Sequence, residues 1–411
     1  MKIVITNAVL SNTGDAAILH GIVRALEVAG VSRRDEVTVI DANANLTRNL
    51  YPDLRIEQQL CYPSSSRNRI IKRLTQELLR MSVKFLSHKG RLAAWLGLRF
   101  ADRSAFFRTM ACYFDADAVI SSGGTYLVDH YNFAPRATEL VFAHRIGVPV
   151  YLWTQSAGPF KSTGSIKSAR AIAEVINGGL FRDTRSLKYW SSLGMYVART
   201  EVRPDAAFAL SSAPYSPPKH RMLLSVRSWS LTSDGAALTA GSYESAHKAV
   251  ASSLISSGFQ AVAMSTCQGL DGYIDDSATA REIFSETDVD IDAVHRTPDE
   301  LAIEIRASSA VLTTRMHMAI LSLVNKTPVV AIAYEFKTLE LFNSLGLGHA
   351  VIRIEDVNDD RLAAAVKNML DEPSRHILSD AKLAELRDAC VGACEILANM
   401  PGPESATATT R

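Results

Sequence analysis

Apolar runs about one strand long alternate along this chain with segments whose apolar residues recur every three or four positions. The strand-length runs are KIVIT, EVTVID, DAVISSGG, VPVYLWTQ, RMLLSVRSW, FQAVAMST, AVLTTRMH and TPVVAIAY. Between them lie DAAILHGIVRALEVAG, SIKSARAIAEVI, SYESAHKAVASSLISSG and MAILSLVNK, which carry the helical period. Strands that are apolar on both faces and separated by helices predict βαβ units and mostly parallel sheets. The pattern restarts after SSAPYSPPKH, a Ser/Pro-rich stretch suited to a linker. The predicted architecture is α/β, with two doubly wound Rossmann-like domains facing across a cleft. They span residues 1–210 and 221–370, joined by a linker at 211–220. A helical tail is expected over 371–400, and 401–411 (PGPESATATTR) reads as disordered.

Length agrees with two domains, because 411 residues exceed what one core holds, about 250–300. The formal net charge is +1, so no global field selects nucleic acid as a partner. Five cysteines are scattered with no CxxC pair, which reads as reduced thiols without a metal or disulfide role. The N-terminus enters a strand directly, without the three-part pattern of a signal peptide. No uninterrupted apolar window of about 18 residues is present to span a bilayer. The expected location is cytoplasmic, with peripheral contact at the inner face of the plasma membrane as an open alternative.

That alternative comes from one segment. Residues 67–108 contain eleven Lys and Arg against only Glu77 and Asp102, and Ile70, Leu74, Leu78, Met81 and Phe85 recur at helical spacing. A basic amphipathic helix can lie on an anionic membrane surface, and a core-packed helix with a solvated basic face fits the same pattern.

In doubly wound sheets, ligands bind beyond the C-terminal ends of strands. Polar clusters that follow predicted strands therefore carry weight: Asn12–Asp15, Ser121–Thr125 with Gly124, Gln155–Pro159, Arg227, Thr266–Gly269 and Arg315–His317. The turn SNTGD holds a single glycine, so it fails the GxGxxG test for a dinucleotide. GPFKSTGS lacks the Gly-Lys-Ser/Thr ending of a phosphate loop. DVDID resembles the start of a calcium loop, but Ala293 stands where glycine is needed and Asp299 where the bidentate glutamate belongs. Neither HExxH nor GxSxG occurs.

The strongest cluster is TTRMHMAILSLVNKTPVVAIAYEFKT. Arg315 and His317 are predicted to alternate at a strand end and so to face the same way. A helix and a second strand follow, and Lys337 comes just past that strand. Two permanent cations and a histidine at one sheet edge suit a small, multiply charged anion. Singly, His317 reads first as a structural histidine and Lys337 as a surface charge; together, at paired strand ends, they favour a site. Arg182 in LFRDTRS and Arg227 in LLSVRSW stand at comparable places, and Asp205 in RPDAAFAL reads as an N-cap.

The ordered series NTGDAAI, SSGGTYLVD, TQSAGPF, FRDTRSLKYWSSLG, RPDAAFAL, LLSVR, TTRMHMAI and TPVVAIAYEFKT resembles the polysaccharide pyruvyl transferase family. The resemblance runs from the first strand to about residue 350. It implies a GT-B-like fold and transfer of pyruvate from phosphoenolpyruvate to a sugar of a bacterial surface polysaccharide or its lipid-linked precursor, as a cyclic ketal. It implies His317 as general acid, with Arg315, Lys337 and Arg182 or Arg227 binding the donor. Asn12, Asp15, Gly124, Gln155 and Asp271 fall to the acceptor side, with Asp15 and Asp271 as candidate bases. Phosphoenolpyruvate enters as substrate, and the scheme calls for no metal or cofactor. A nucleotide-sugar glycosyltransferase, a non-catalytic scaffold of polysaccharide assembly, and an enolpyruvyl product stay open as alternatives.

Overall fold

The computed structural model describes residues 1–61, 69–194, 199–214, 216, 218–228, 240–268 and 275–398. The chain divides into two compact units. The first comprises Met1–Leu10, Gly21–Ala209 and the chain from Asp388 onward; the second comprises Ser11–His20 and Leu210–Arg387.

The first unit carries β1 (Ile3–Ala8), β2 (Val37–Asp41), β3 (Arg55–Gln58), β4 (Ala118–Ser121), β5 (Gly124–Leu127), β6 (Val150–Ala157), β7 (Gly178–Phe181) and β8 (Thr200–Val202). They form one sheet in the order β3-β2-β1-β4-β6-β7-β8, with β5 paired to β6. Every pairing is parallel. The second unit carries β9 (Lys219–Ser225), β10 (Gln260–Met264), β11 (Asp290–Asp292), β12 (Ser308–Thr313), β13 (Val329–Ala333) and β14 (Val351–Arg353). Their order is β11-β10-β9-β12-β13-β14, again all parallel.

Helices make the crossovers that parallel strands require. The first half of the chain contributes α1 (Thr13–Val28), α2 (Ala44–Leu50), α3 (Arg69–Ser87), α4 (Gly90–Phe100), α5 (Ala105–Phe114), α6 (Ala134–Arg145), α7 (Thr163–Ala173) and α8 (Thr184–Ser191). The second half contributes α9 (Ala240–Ser256), α10 (Asp276–Ile283), α11 (Pro298–Arg306), α12 (Met316–Val324), α13 (Phe336–Ser344), α14 (Asp359–Asp371), α15 (Asp380–Gly392) and α16 (Glu395–Ala398). Side chains close several helix starts. Ser162 caps α7, Asp183 caps α8, and Thr297 with Glu300 forms a capping box ahead of Pro298 in α11.

The central strands β1 and β6 are buried at every position, as their two-sided apolar sequences require. Each unit has its own core. One is built around Val4, Val119, Val150, Leu140 and Phe181, the other around Met222, Leu224, Ala263, Leu312 and Val330. The C-terminal segment joins the first core, where Ile396 lies against Gly178 so closely that a Cβ there would stand 2.7 Å from its Cδ1. All five cysteines are free and buried. DVDID contributes the edge strand β11, and Asp292 pairs with Arg296 at 2.6 Å. The tail 401–411, expected to be disordered, lies outside the described residues.

Candidate active site

In the second unit, strand β12 ends at Thr313, one turn earlier than the sequence pattern suggests. The Thr313 hydroxyl accepts from the Arg315 amide at 2.9 Å and turns the chain, so Arg315 is the N-cap of α12 and His317 its second residue. The expected strand alternation of Arg315 and His317 is therefore corrected: a helix start, not a pleat, sets their directions. Strand β13 repeats the arrangement. It ends at Ala333, Glu335 is the N-cap of α13, and Lys337 is that helix's second residue. Because β12 and β13 pair in parallel, with Thr313 opposite Ala331, both helices begin at the same sheet edge. His317 and Lys337 thus hold equivalent places at two neighbouring helix N-termini, where amide groups and the helix dipole favour anions.

Arginine 315 is anchored from below. Its guanidinium forms a two-pronged ion pair with Asp276, with Nε 2.9 Å from Oδ2 and Nη2 against Oδ1. Asp276 is 1% exposed and also accepts from the Cys267 amide at 3.2 Å, which ties the end of β10 to the start of α10. Burial alone would lower the Arg315 pKa, but the Asp276 carboxylate more than offsets it and the net direction is upward. The cation is permanent and its plane is fixed.

Two more cations share one ring. The Arg227 guanidinium carbon lies 4.1 Å from the Tyr334 ring centroid, and Lys337 Nζ lies 5.9 Å from it. Lys337 pairs with Glu335 at 2.8 Å. The Arg227 amide is held by the Tyr243 hydroxyl at 3.3 Å, and Tyr243 in turn bonds Thr314 at 2.6 Å, beside Arg315. Arg227, Arg315 and Lys337 are therefore brought to one edge by the ends of β9, β12 and β13.

The turn SNTGD belongs to this unit as well. Asn12 bridges to Cys267, and the Thr13 amide donates to the Thr266 carbonyl at 2.9 Å. Asn12 Oδ1 accepts from the Gly14 amide at 2.9 Å, closing the turn as α1 begins. Gly14 lies against His317: a Cβ on Gly14 would stand 2.8 Å from His317 Nδ1 and 3.1 Å from its Cβ and Cγ. Asp15 follows in the first turn of α1. The charges of Arg315, Asp276, Asp15 and Arg227 all reach the Cys267 thiol, whose pKa burial raises to about 11. At that value the thiol stays protonated near neutrality.

Of the other expected site residues, Arg182, Gln155 and Gly124 lie in the first unit. All three nitrogen positions of the Arg182 guanidinium are engaged: Ser156 at 2.6 Å, Asp205 at 2.8 Å and Thr125 at 2.7 Å. Its side chain is 5% exposed. Asp205, read as an N-cap, does accept from the Ala207 amide at 3.0 Å, but its second oxygen holds Arg182. Gln155 is fully buried, and its amide nitrogen donates to the Ser122 carbonyl and to the Tyr126 hydroxyl. Gly124 opens β5 at φ 149°, a left-handed value that favours glycine, and pairs with Gln155. Asp271 lies outside the described residues.

Sequence reasoning did not pick out Asp276, Tyr334, Glu335 or Tyr243. A signal existed for two of them, since Tyr334 and Glu335 immediately follow TPVVAIA and precede Lys337 in the strongest motif. Asp276 carries none, being one of several acids in the stretch 271–276. It also missed Asn7 and Thr154, non-glycine residues at φ 65° and 43° on the buried strands β1 and β6. Asn7 Nδ2 donates to the Ser121 hydroxyl at 3.0 Å, which itself bonds Tyr126 at 2.6 Å. Strained backbone beside a buried polar network is frequent at functional sites.

Comparison with known proteins bears on the family and the fold. The family model described as polysaccharide pyruvyl transferase matches residues 12–335. The amylovoran biosynthesis protein AmsJ of Erwinia amylovora is 26% identical over 90% of this chain and 92% of its own. Among solved structures, the UDP-GlcNAc 2-epimerase of Methanocaldococcus jannaschii covers 97% of this chain and 99% of its own with a TM-score of 0.56 at 11% identity. The UDP-GlcNAc 2-epimerase of Neisseria meningitidis, bound to UDP-GlcNAc, has the same TM-score at 8% identity, with 97% and 100% covered. At such identities the likeness is one of fold, α/β with two parallel-sheet domains of GT-B type.

Proposed function

Because the chain belongs to the polysaccharide pyruvyl transferase family, we propose that it moves pyruvate from phosphoenolpyruvate to a sugar, closing a cyclic ketal on two hydroxyls. The observation that carries this reading is the grouping of Arg227, Lys337 and Arg315 around Tyr334 and Asp276, at the edge where His317 stands in the first turn of α12.

Phosphoenolpyruvate bears a phosphate and a carboxylate on three carbons, so its binding needs several cations close together. Arg315, held flat by Asp276, takes an oxyanion pair, while Arg227 and Lys337 take the other anionic group. His317 donates a proton to the methylene carbon, and C2 becomes oxocarbenium-like. A sugar hydroxyl adds to C2 and loses its proton; inorganic phosphate then leaves C2 as a second hydroxyl adds and loses its own. One phosphoenolpyruvate and one sugar diol give one ketal and one inorganic phosphate. The cations stabilise charge on the departing phosphate in a site already aligned for it. Asp15, on the turn that abuts His317, is the base we assign to the acceptor hydroxyl, with Asn12 beside it.

An acceptor of this kind is a cell-surface polysaccharide unit or its lipid-linked precursor. The name of AmsJ, an amylovoran biosynthesis protein, supports a polysaccharide acceptor. The chain would then act in the cytoplasm.

The test uses purified protein, phosphoenolpyruvate and a panel of hexosides. Acceptor-dependent phosphate release that is lost in His317→Ala supports the reading. Phosphate release at the wild-type rate from His317→Ala removes His317 from the chemistry, and consumption of a nucleotide sugar instead of phosphoenolpyruvate overturns the reading itself.

A further inference from the structure

Helices α3 and α4 each pack on the first unit with one face, and that face is not their main apolar one. In α3, Val83, Leu86 and Ser87 are buried, and in α4 Ala93 is. Ile70, Leu74, Leu78, Met81 and Phe85 are 59–70% exposed, and Leu92, Trp95 and Leu98 are 44%, 57% and 75% exposed. These two helices hold eight exposed large hydrophobic side chains, against six in all the other described residues together. At about 100° per residue, the five on α3 fall within an arc of about 80°, and Val83 and Leu86 point to the opposite side. The helix thus has two apolar faces, and only one is used by the core.

The rim of the exposed face is cationic. Arg73, Lys84, Lys89, Arg99 and Arg103 are exposed. Glu77, one of only two acids in 67–108, is already paired with Arg80. Beside Lys84, a pocket of about 320 Å³ is lined by Arg80, Lys84, His88, Arg145 and Lys167, and no acid lines it. Within it Arg145 Nη1 lies 3.2 Å from the Ser87 hydroxyl.

We propose that α3 and α4 form a docking face for a bilayer containing anionic phospholipid. The exposed stripe enters the acyl boundary, and the rim and the pocket take headgroup phosphates. Charge decides the occupant. A second copy docking on this face would bring two cationic rims together, whereas anionic headgroups meet every cation with an opposite charge. The stripe is too short and one-sided to cross a bilayer, and no described helix is long and apolar enough to do so. A helix of this kind lies in the interface plane, with aromatic residues such as Trp95 at the headgroup level. The inference rests on side chains of the first unit alone, so it stands or falls separately from the pyruvyl transfer reading.

The test is flotation of the full chain with vesicles of phosphatidylcholine alone and of phosphatidylcholine with phosphatidylglycerol. Binding is expected on the anionic vesicles only, weakening as salt screens the rim. Leu78→Ser with Met81→Ser should lower partitioning by about tenfold or more, since two apolar side chains leave the acyl boundary. Arg73→Glu with Lys84→Glu should remove the preference for anionic lipid. All four side chains are accessible, so an unchanged thermal midpoint accompanies both effects. Absence of binding to anionic vesicles at low salt overturns the proposal, and so does wild-type binding by the serine pair. A concentration-dependent dimer abolished by that pair would assign the face to a second copy instead.

Discussion

Replacing Gly14 by alanine tests the site without disturbing its charges. The new methyl carbon would stand 2.8 Å from His317 Nδ1 and 3.1 Å from the ring's Cβ and Cγ. Ordinary contacts between such atoms are about 3.5–4.0 Å, so the imidazole must move by roughly 0.5–1 Å. The near edge of the ring is involved, not a flexible tip, and turning it off its rotamer costs about 0.5–1.5 kcal/mol. Alanine in a helix recovers about 0.5–1 kcal/mol relative to glycine, so net stability changes by less than about 1 kcal/mol. Function responds differently, because misplacing a reacting group by about 1 Å costs on the order of 10²-fold in rate. We expect Gly14→Ala to keep its thermal midpoint and its phosphoenolpyruvate affinity, and to lose about two orders of magnitude in kcat by acceptor-dependent phosphate release. A stable Gly14→Ala enzyme turning over at the wild-type rate would mean that the His317 ring position is immaterial to the reaction.

Other changes probe the same edge. Lys337→Ala should raise the apparent KM for phosphoenolpyruvate by about tenfold or more while kcat falls less, as expected on losing one charge-assisted contact; an unchanged KM in initial-rate kinetics would count against its donor role. Asp276→Asn leaves Arg315 without its carboxylate, and breaking such a pair costs about 3 kcal/mol. Its melting temperature should drop, and inorganic phosphate should restore more of it than in the wild type, as read by scanning fluorimetry. Burial pushes the His247 imidazole down to about 4, only partly offset by its hydrogen bond to the Tyr243 carbonyl. Its unfolded pKa is higher, about 6.5, so the unfolded chain takes up the proton first and stability is lost as pH falls from there towards 4. The loss is roughly 3 kcal/mol at the acid end, and denaturant titrations of His247→Gln should show a flatter acid limb.

What could be read from sequence followed the strength of the local signal. All eight strands predicted from apolar runs are present, because burial on both faces leaves a continuous run of Val, Ile, Leu and Ala. The strands outside that set are RIEQ, GTYL, GGLF, TEV, DID and VIR, segments of three or four residues with too few positions to establish a period. The cation cluster was legible because Arg315, His317 and Lys337 each follow a strong strand. Its geometry was not, because the Thr313 hydroxyl turns the chain into α12 and makes a helix cap of what reads as a strand end. Asp276 and Tyr334 depend on contacts between residues far apart in sequence, such as Asp276 with Arg315 and Tyr334 with Arg227. Arg182 read as a strand-end cation like Arg227, and only its three partners distinguish the two. The basic segment was ambiguous for a related reason: α3 has apolar residues on two faces, and periodicity does not say which of them the core uses.

If the edge formed by Arg227, Arg315, Lys337 and His317 holds phosphoenolpyruvate, the ligand itself must be found there. A crystal structure of the protein with phosphoenolpyruvate should show phosphate and carboxylate on the three cations, with the methylene carbon facing His317. Phosphoenolpyruvate bound away from these side chains, or no binding at saturating concentration, would contradict that assignment.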